Sequence, residues 1–280
     1  MPELPEAETI ARGLQSFLPG RQVTGVRVLR PDLLEASPRG FRAGLRGARW
    51  ANVGRRGKNV VLGLSTGDRL VVNLGMTGRL LPSPDGKAPP EARHPGVVFR
   101  HQDGSTLTFD DTRRFGHLRL MGTDGWSAWT RRLGPEPLAS SFSGRRLEQI
   151  LGASRSPVRS LLLDQRKLAG VGNIYAVEAL WAAAIHPGTP SNAIPPAAAR
   201  SLHRALRRIL RNAIAAKGTT LRDYRTAGGD SGGFAPALMA YGREGQGCPR
   251  CRTHLKRMVL SGRSAFYCPS CQPPPTARAS

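Results

Sequence analysis

The sequence predicts an α+β chain: an N-terminal helix plus a β-sandwich, then a helical region that ends in a four-cysteine β-hairpin. Three observations carry that order. Short β-branched runs, punctuated by Gly, Asp, Ser and Pro turns, fill residues 23–121. Beyond Gly134-Pro-Glu-Pro-Leu138 the apolar spacing becomes helical. All four cysteines fall at positions 248, 251, 268 and 271. With 280 residues and 39% hydrophobic content the chain can bury one or more cores, which excludes a wholly disordered basic tail.

The first element follows from spacing. Apolar residues at Ala7, Ile10, Ala11, Leu14, Phe17 and Leu18 share one helical face. Pro5 suits the first turn, Glu6 and Glu8 sit where the helix dipole favours anions, and Gly20 ends the element. Seven strands are expected at 23–29, 49–53, 59–64, 69–74, 97–101, 106–110 and 117–121, a spacing that fits a sandwich or barrel-like sheet pair. Residues 82–95, rich in Pro and charge, read as a mobile surface loop. Helices are expected at 145–151, 158–163, 173–184 and 196–216. A Gly-rich segment (Gly228, Gly229, Gly232, Gly233) and a short helix then lead to the cysteines. The chain divides accordingly into 1–130, a linker 131–142, a helical part 143–235, and the cysteine hairpin with its tail, 236–280. The tail from Pro273 is expected to be disordered.

Charge narrows the partner. Lys and Arg total 42 against 19 Asp and Glu, a formal charge of +23, and Lys occurs only at positions 58, 87, 167, 217 and 256. Such an excess points to a polyanion, with nucleic acid ahead of ribosomal or anionic-membrane association. The longest mostly apolar stretch, 176–185, contains Glu178 and falls far short of the ~20 residues a bilayer span needs. Met1-Pro-Glu-Leu-Pro-Glu6 has two acids and no basic region, so no secretory signal is read and a cytoplasmic, reducing compartment is expected.

The strongest local motif is Cys248-x2-Cys251-x16-Cys268-x2-Cys271. Two CxxC pairs at this separation suit four thiolates around one structural Zn²⁺, with Ser261-Gly262 turning a hairpin between them. Two disulfides or a redox pair are the alternatives, disfavoured by the reducing compartment and the absence of a thioredoxin-like context. The N-terminus is the second signal. Removal of the initiator Met exposes the secondary amine of Pro2, whose ordinary pKa of about 7.7–8 leaves a neutral fraction near neutrality. Attack on an aldehyde-level carbon would give an iminium, with Glu3 beside it to move a proton and Glu6 three residues on. On these residues alone, acids that merely complement a helix N-terminus remain the simpler reading.

The start Met1-Pro-Glu-Leu-Pro-Glu-Ala-Glu-Thr9 resembles that of the bacterial formamidopyrimidine-DNA glycosylases of the Fpg/Nei family. Gly57-Lys58, Asn73-Leu-Gly-Met-Thr-Gly78, Asp111-Thr-Arg-Arg-Phe-Gly116, Leu161-Leu-Leu-Asp-Gln165, Gly170-Val-Gly-Asn-Ile-Tyr-Ala176 and Tyr241-Gly-Arg243 are similar to its landmarks, in its order. The resemblance spans Pro2 to about Gln272. It implies a helix–two-turns–helix element in the helical part and a bifunctional glycosylase and abasic-site lyase acting on oxidised purines. It further implies duplex DNA with a damaged base or abasic site as partner, one zinc ion, and action as a monomer near the nucleoid. Pro2 then looks like the nucleophile, Glu3 the catalytic acid and Glu6 its supporting carboxylate. Lys58 resembles the residue of β-elimination and Arg263 that of δ-elimination.

Flipping a base out of the duplex leaves a void and an orphaned partner. Met76, Arg113 and Phe115 resemble the family's filling triad: a wedge, a donor fork and a stacking ring. Singly, Met76 and Phe115 read as sheet core and Arg113 as a surface charge, as Lys58 does beside Arg55 and Arg56. Gly170 to Asn173 reads either as a tight interhelical loop or as a phosphate-binding helix start capped by Asn173; the family favours the latter. His94 lies near a family DNA contact. Two departures stand out: Arg159 occupies a position where many relatives have Lys, and Asn73 one where a His is common. Leu4 and the Gly228–Gly233 loop favour the purine branch over the pyrimidine-directed one. A non-catalytic zinc-dependent DNA-binding protein is the alternative of a different class, and it predicts binding without covalent trapping.

Overall fold

Helix α1 (Leu4–Gln15) forms where the apolar spacing places it, with Leu4, Ala7, Ile10, Ala11 and Leu14 buried. The computed structural model describes residues 2–275. The tail beyond residue 275, for which disorder is expected, lies outside the described residues. The architecture is α+β. After β1 (Val23–Val28) comes α2 (Pro38–Leu45), then β2 (Trp50–Arg56), β3 (Asn59–Leu64), β4 (Arg69–Asn73), β5 (Arg79–Ser83), β6 (Pro95–His101), β7 (Thr106–Asp110) and β8 (His117–Met121), followed by α3 (Thr123–Arg131). The strands make two antiparallel four-stranded sheets, ordered β1-β6-β7-β5 and β2-β3-β4-β8. Strand β3 is buried at every position, as a central strand covered on both faces must be. Trp50 of one sheet meets Phe99 of the other edge-on, ring centroids 5.7 Å apart, and Phe41 of α2 lies 6.3 Å from Phe99. Truncating such an aromatic costs about 3–5 kcal/mol, so this contact is a main fastening of sheet to sheet.

Eight strands stand where seven were expected. The additional one, β5, carries Pro82, and the proline made its segment read as loop. In the sheet β5 is an edge strand, where a residue without an N–H is tolerated. The expected 82–95 loop shrinks accordingly, because Pro95 already belongs to β6. Helices α2 and α3 were also not anticipated. Only Phe41 and Leu45 are buried in α2, and α3 buries no residue, so neither shows a long apolar stripe.

The described residues form two compact units. One comprises those up to Arg132 together with Ala213–Ala235. Segment 213–235, expected with the helical part, therefore belongs to the sandwich, and Tyr224 and Ala227 enter its core cluster. The other comprises Leu133–Asn212 and the chain from Pro236. It holds α4 (Gly144–Gly152), α5 (Val158–Leu163), α6 (Asn173–Ala182), most of α7 (Pro196–Ala215), and the hairpin β9 (Lys256–Leu260) and β10 (Arg263–Tyr267). Ser143 caps α4 by accepting from Arg146 N. Helix α6 is buried without a break from Ile174 to Trp181, which makes it the unit's central helix. The expected short helix after the glycines is a three-residue 3-10 turn, Ala235–Ala237. No helix among the described residues is long and apolar enough to cross a membrane.

Candidate functional site

The Glu6 carboxylate braces the start of α1. Pro2, Glu3 and Glu6 are all buried. Glu3 sits at the N-cap of α1, and its N–H donates to Glu6 Oε2 at 2.8 Å. The other oxygen, Glu6 Oε1, accepts from Thr219 N at 2.7 Å. Residue 218 approaches so closely that a Cβ there would lie 3.0 Å from Glu6 Oε1, and its φ of +86° also calls for glycine. Both oxygens of Glu6 thus hold backbone, one strand of it 213 residues away in sequence.

The turn carrying Lys58 is held from the same helix. Arg55 Nε donates to Glu8 Oε2 at 3.0 Å and Arg55 Nη1 to Gly57 O at 2.8 Å. Burial pushes the Glu8 carboxyl up, but Arg12 and Arg55 more than offset it and leave it below its ordinary value. Lys58 follows Gly57 in this two-residue turn between β2 and β3 and is half-buried. An amide relay continues from there. Asn59 Nδ2 donates to Arg56 O (3.1 Å), Asn73 Nδ2 to Asn59 Oδ1 (2.9 Å), and Gly75 N to Asn73 Oδ1 (2.9 Å). Asn73 is therefore a non-titrating link between the β2–β3 and β4–β5 turns.

Met76, Arg113 and Phe115 all lie on turns and all are exposed, which removes the sheet-core reading. Met76 is in the β4–β5 turn; Arg113 and Phe115 are in the β7–β8 turn, with the guanidinium 4.8 Å over the ring. Asp111 anchors both turns, a role its sequence position did not disclose. Its Oδ1 accepts from Thr77 Oγ1 at 2.5 Å and its Oδ2 from Gly116 N at 2.7 Å. His94 is exposed at the start of β6, its N–H donating to Asp110 Oδ1 at 2.5 Å and its carbonyl accepting from Asp111 N at 3.1 Å.

In the second unit, Asn173 does not cap α6 with its side chain. The N-cap is Gly172, and Asn173 is the first helical residue. Its Oδ1 accepts from Arg159 Nε (3.2 Å) and Nη2 (2.7 Å), and its Nδ2 donates to Ser264 O at 2.9 Å. The fully buried Arg159 guanidinium also donates to Leu260 O (2.7 Å) and Ser264 O (3.2 Å). Arg159 and Asn173 thereby bind α5 and α6 to both strands of the hairpin. Gln165 braces the glycine loop before α6, donating to Val171 O and accepting from Gly170 N. The hairpin turn has Ser261 at φ 47° and Gly262 at φ 71°, the two left-handed residues of a type I′ turn. Arg263 follows it, exposed, opposite Leu260.

The four cysteine sulfurs lie within 4.8 Å of one another. Cys251 Sγ is 3.4 Å from Cys268 Sγ and from Cys271 Sγ, and Cys248 Sγ is 4.0 Å from Cys271 Sγ. Sulfurs at about 2.3 Å from a tetrahedral Zn²⁺ are separated by about 3.8 Å, so the donor set fits one zinc ion and no disulfide. The segment is tied to the C-terminal end of α6. Arg250 donates to Trp181 O and Ala182 O, both at 2.9 Å, and stacks 4.1 Å from the Trp181 ring. A cation at a helix C-terminus is favoured by the helix dipole. Glu178, in sequence only a charge interrupting an apolar run, accepts from the N–H groups of Met239, Ala240 and Tyr241 and anchors the approach to the cysteines.

Three family models match the chain. The formamidopyrimidine-DNA glycosylase N-terminal domain covers residues 1–118, its H2TH domain covers 133–225, and a zinc finger found in FPG and IleRS covers 245–274. The formamidopyrimidine-DNA glycosylase of Caulobacter vibrioides is 42% identical over 97% of this chain and 100% of the relative. That of Chloroflexus aurantiacus is 42% identical over 97% and 98%. The crystal structure of MutM (Fpg) from Thermus thermophilus superposes with a TM-score of 0.86 at 39% identity, covering 97% of this chain and 98% of that one. A complex of Lactococcus lactis Fpg with DNA containing an abasic site superposes with a TM-score of 0.89 at 30% identity, covering 97% and 100%. The chain belongs to the formamidopyrimidine-DNA glycosylase family.

Proposed function

We propose that this chain is a bifunctional DNA glycosylase and abasic-site lyase of base excision repair. It excises oxidised and ring-opened purines from duplex DNA through an iminium at Pro2. The observation that carries the reading is the N-terminus itself. Pro2 and Glu3 lie buried at a helix start braced by the Glu6 carboxylate, whose two oxygens each accept a backbone N–H. Family membership and a relative solved with abasic DNA support the same reading.

Once Met1 is removed, Pro2 is a secondary amine. Its lone pair forms a bond to deoxyribose C1′ as the N-glycosidic bond breaks and the departing base takes up a proton. The proton left on nitrogen passes to the Glu3 carboxylate and on to O4′. The C1′–O4′ bond opens and the nitrogen lone pair forms the cationic C1′=N bond. That cation acidifies C2′–H. Loss of this proton expels the 3′ phosphate, and a further deprotonation at C4′ expels the 5′ phosphate. Glu6 keeps Glu3 in place, while Lys58 and Arg263 serve the β- and δ-steps and hold the flanking phosphates. Met76, Arg113 and Phe115 fill the vacated stack and face the orphaned base. His94 and the backbone N–H groups at Asn173 contact phosphate. Zinc, when bound, cross-links the hairpin that carries Arg263 and takes no part in bond breaking. The protein acts as a monomer, in the cytoplasm on nucleoid DNA.

Borohydride reduction in the presence of a duplex containing 8-oxoguanine, followed by mass mapping of the cross-linked peptide, tests this. The expected adduct is on Pro2. An adduct on an interior lysine, or incision with no adduct, overturns the mechanism.

A further inference from the structure

We infer that Thr77 and Asp111 are positioning residues that lock the β4–β5 and β7–β8 turns into one rigid insertion unit. Met76, Arg113 and Phe115 then enter a duplex together. The inference rests on the reading of these three as the void-filling group.

The side chains they position are exposed: Phe115 is 56% and Met76 37% accessible, whereas Asp111 beneath them is 2% accessible. A buried carboxylate is costly unless donors satisfy it. Here every donor comes from one of the two turns. Thr77 Oγ1 donates to Asp111 Oδ1 at 2.5 Å, Arg113 N donates to the same oxygen at 3.2 Å, and Gly116 N donates to Oδ2 at 2.7 Å. Thr77 Oγ1 in turn accepts from Arg113 N at 3.0 Å. One hydroxyl thus bridges the neighbour of Met76 to the backbone of Arg113, donating one way and accepting the other.

The backbones themselves are in contact. A Cβ at Gly75 would lie 2.4 Å from Phe115 C and Gly116 N, and Gly75 has φ +56°. Arg114 adopts φ 55°, which turns the chain so that Arg113 stacks over Phe115 at 4.8 Å. Neither turn can retract without breaking a hydrogen bond to Asp111 or opening this contact. A group ordered before binding loses less conformational entropy on insertion, so its rigidity is expressed as faster excision and sharper reading of the opposite base.

The test compares Thr77→Val, which replaces the hydroxyl by a methyl of similar size, with Thr77→Ser, which keeps it. Single-turnover excision of 8-oxoguanine is measured opposite dC and opposite dA. Incision of a preformed abasic site in single-stranded DNA, where no stack needs filling, is measured alongside. We expect Thr77→Val to slow duplex excision about tenfold or more, to flatten the dC-over-dA preference, and to leave single-strand incision within about twofold. Thr77→Ser should behave as the parent protein. In a Phe115→Ala background, Thr77→Val should cost less than in the parent protein, because one of the three side chains through which it acts is gone. Unchanged excision and preference in Thr77→Val, equal losses on both substrates, or full additivity with Phe115→Ala each overturn the inference. Failure of the parent protein to excise the lesion from either duplex would instead overturn the functional reading, since Thr77 plays no part in that comparison.

Discussion

His101 gives the sandwich a defined acid limit. It is 3% accessible, accepts from Trp50 Nε1 at Nε2 (3.0 Å), and meets Ser105 Oγ at Nδ1 (2.9 Å). Ser105 Oγ donates onward to Asp103 Oδ1 at 2.6 Å. An imidazole accepting from the Trp50 indole is neutral, with its proton on Nδ1 toward Ser105. Burial, reinforced by the Arg21 charge and opposed by Asp103, lowers the His101 pKa from 6.5 to about 4. The folded state therefore binds fewer protons than the unfolded chain between these values. The neutral-histidine contribution to stability is complete above about pH 6.5 and is lost as pH falls toward 4. At 1.36 kcal/mol per unit the shift corresponds to about 3 kcal/mol, and solvent screening of the Asp103–Arg21 end reduces this to about 2 kcal/mol. Urea unfolding of the parent protein and of His101→Gln at several values between pH 8 and 4.5 measures it. The non-titrating variant keeps an acceptor for Trp50, so carboxylate titrations common to both proteins cancel. The stability advantage of the parent protein should shrink by about 2 kcal/mol over this range. An advantage that stays constant with pH would refute the neutral buried histidine.

Two further substitutions probe the turns and the hairpin. Gly75→Ala places a Cβ 2.4 Å from two backbone atoms of the β7–β8 turn at a φ of +56°, so a loss of about 2 kcal/mol or more is expected in urea unfolding; a parental midpoint would show that the turns yield easily. Cys268→Ser should lose zinc and duplex affinity together, read by metal analysis and by fluorescence anisotropy, and unchanged affinity would show that the hairpin is idle in recognition.

Local periodicity made most of this fold legible. Strands β3, β7 and β8 match their expected bounds because they alternate or bury continuously between turn residues. The cysteine spacing likewise announced its metal, and the turn at Ser261-Gly262 its hairpin. The misses share a cause. Pro82 is harmless because β5 lies at a sheet edge, and Tyr224 joins the sandwich core from a returning segment whose Thr219 is bound by Glu6. Edges and returns of this kind depend on partners far along the chain, which no local window contains.

Arg159 and Asn173 carry the same argument to single atoms. As an isolated residue at a helix start, Asn173 was expected to cap it. The buried guanidinium of Arg159 competes for that side-chain oxygen and holds it with two donors, while the glycine at 172 takes the cap position. The same guanidinium reaches two hairpin carbonyls, Leu260 O and Ser264 O. A planar five-donor fork can satisfy three acceptors at once in fixed directions, and a single lysine ammonium cannot reproduce that geometry. An arginine at this position therefore supplies more than charge: through Asn173 Oδ1, Leu260 O and Ser264 O it joins the strand end bearing Arg263 to α5 and α6. The sequence displays the arginine but not the carbonyls it serves, because those acceptors lie about 100 residues away and are backbone atoms common to every residue type.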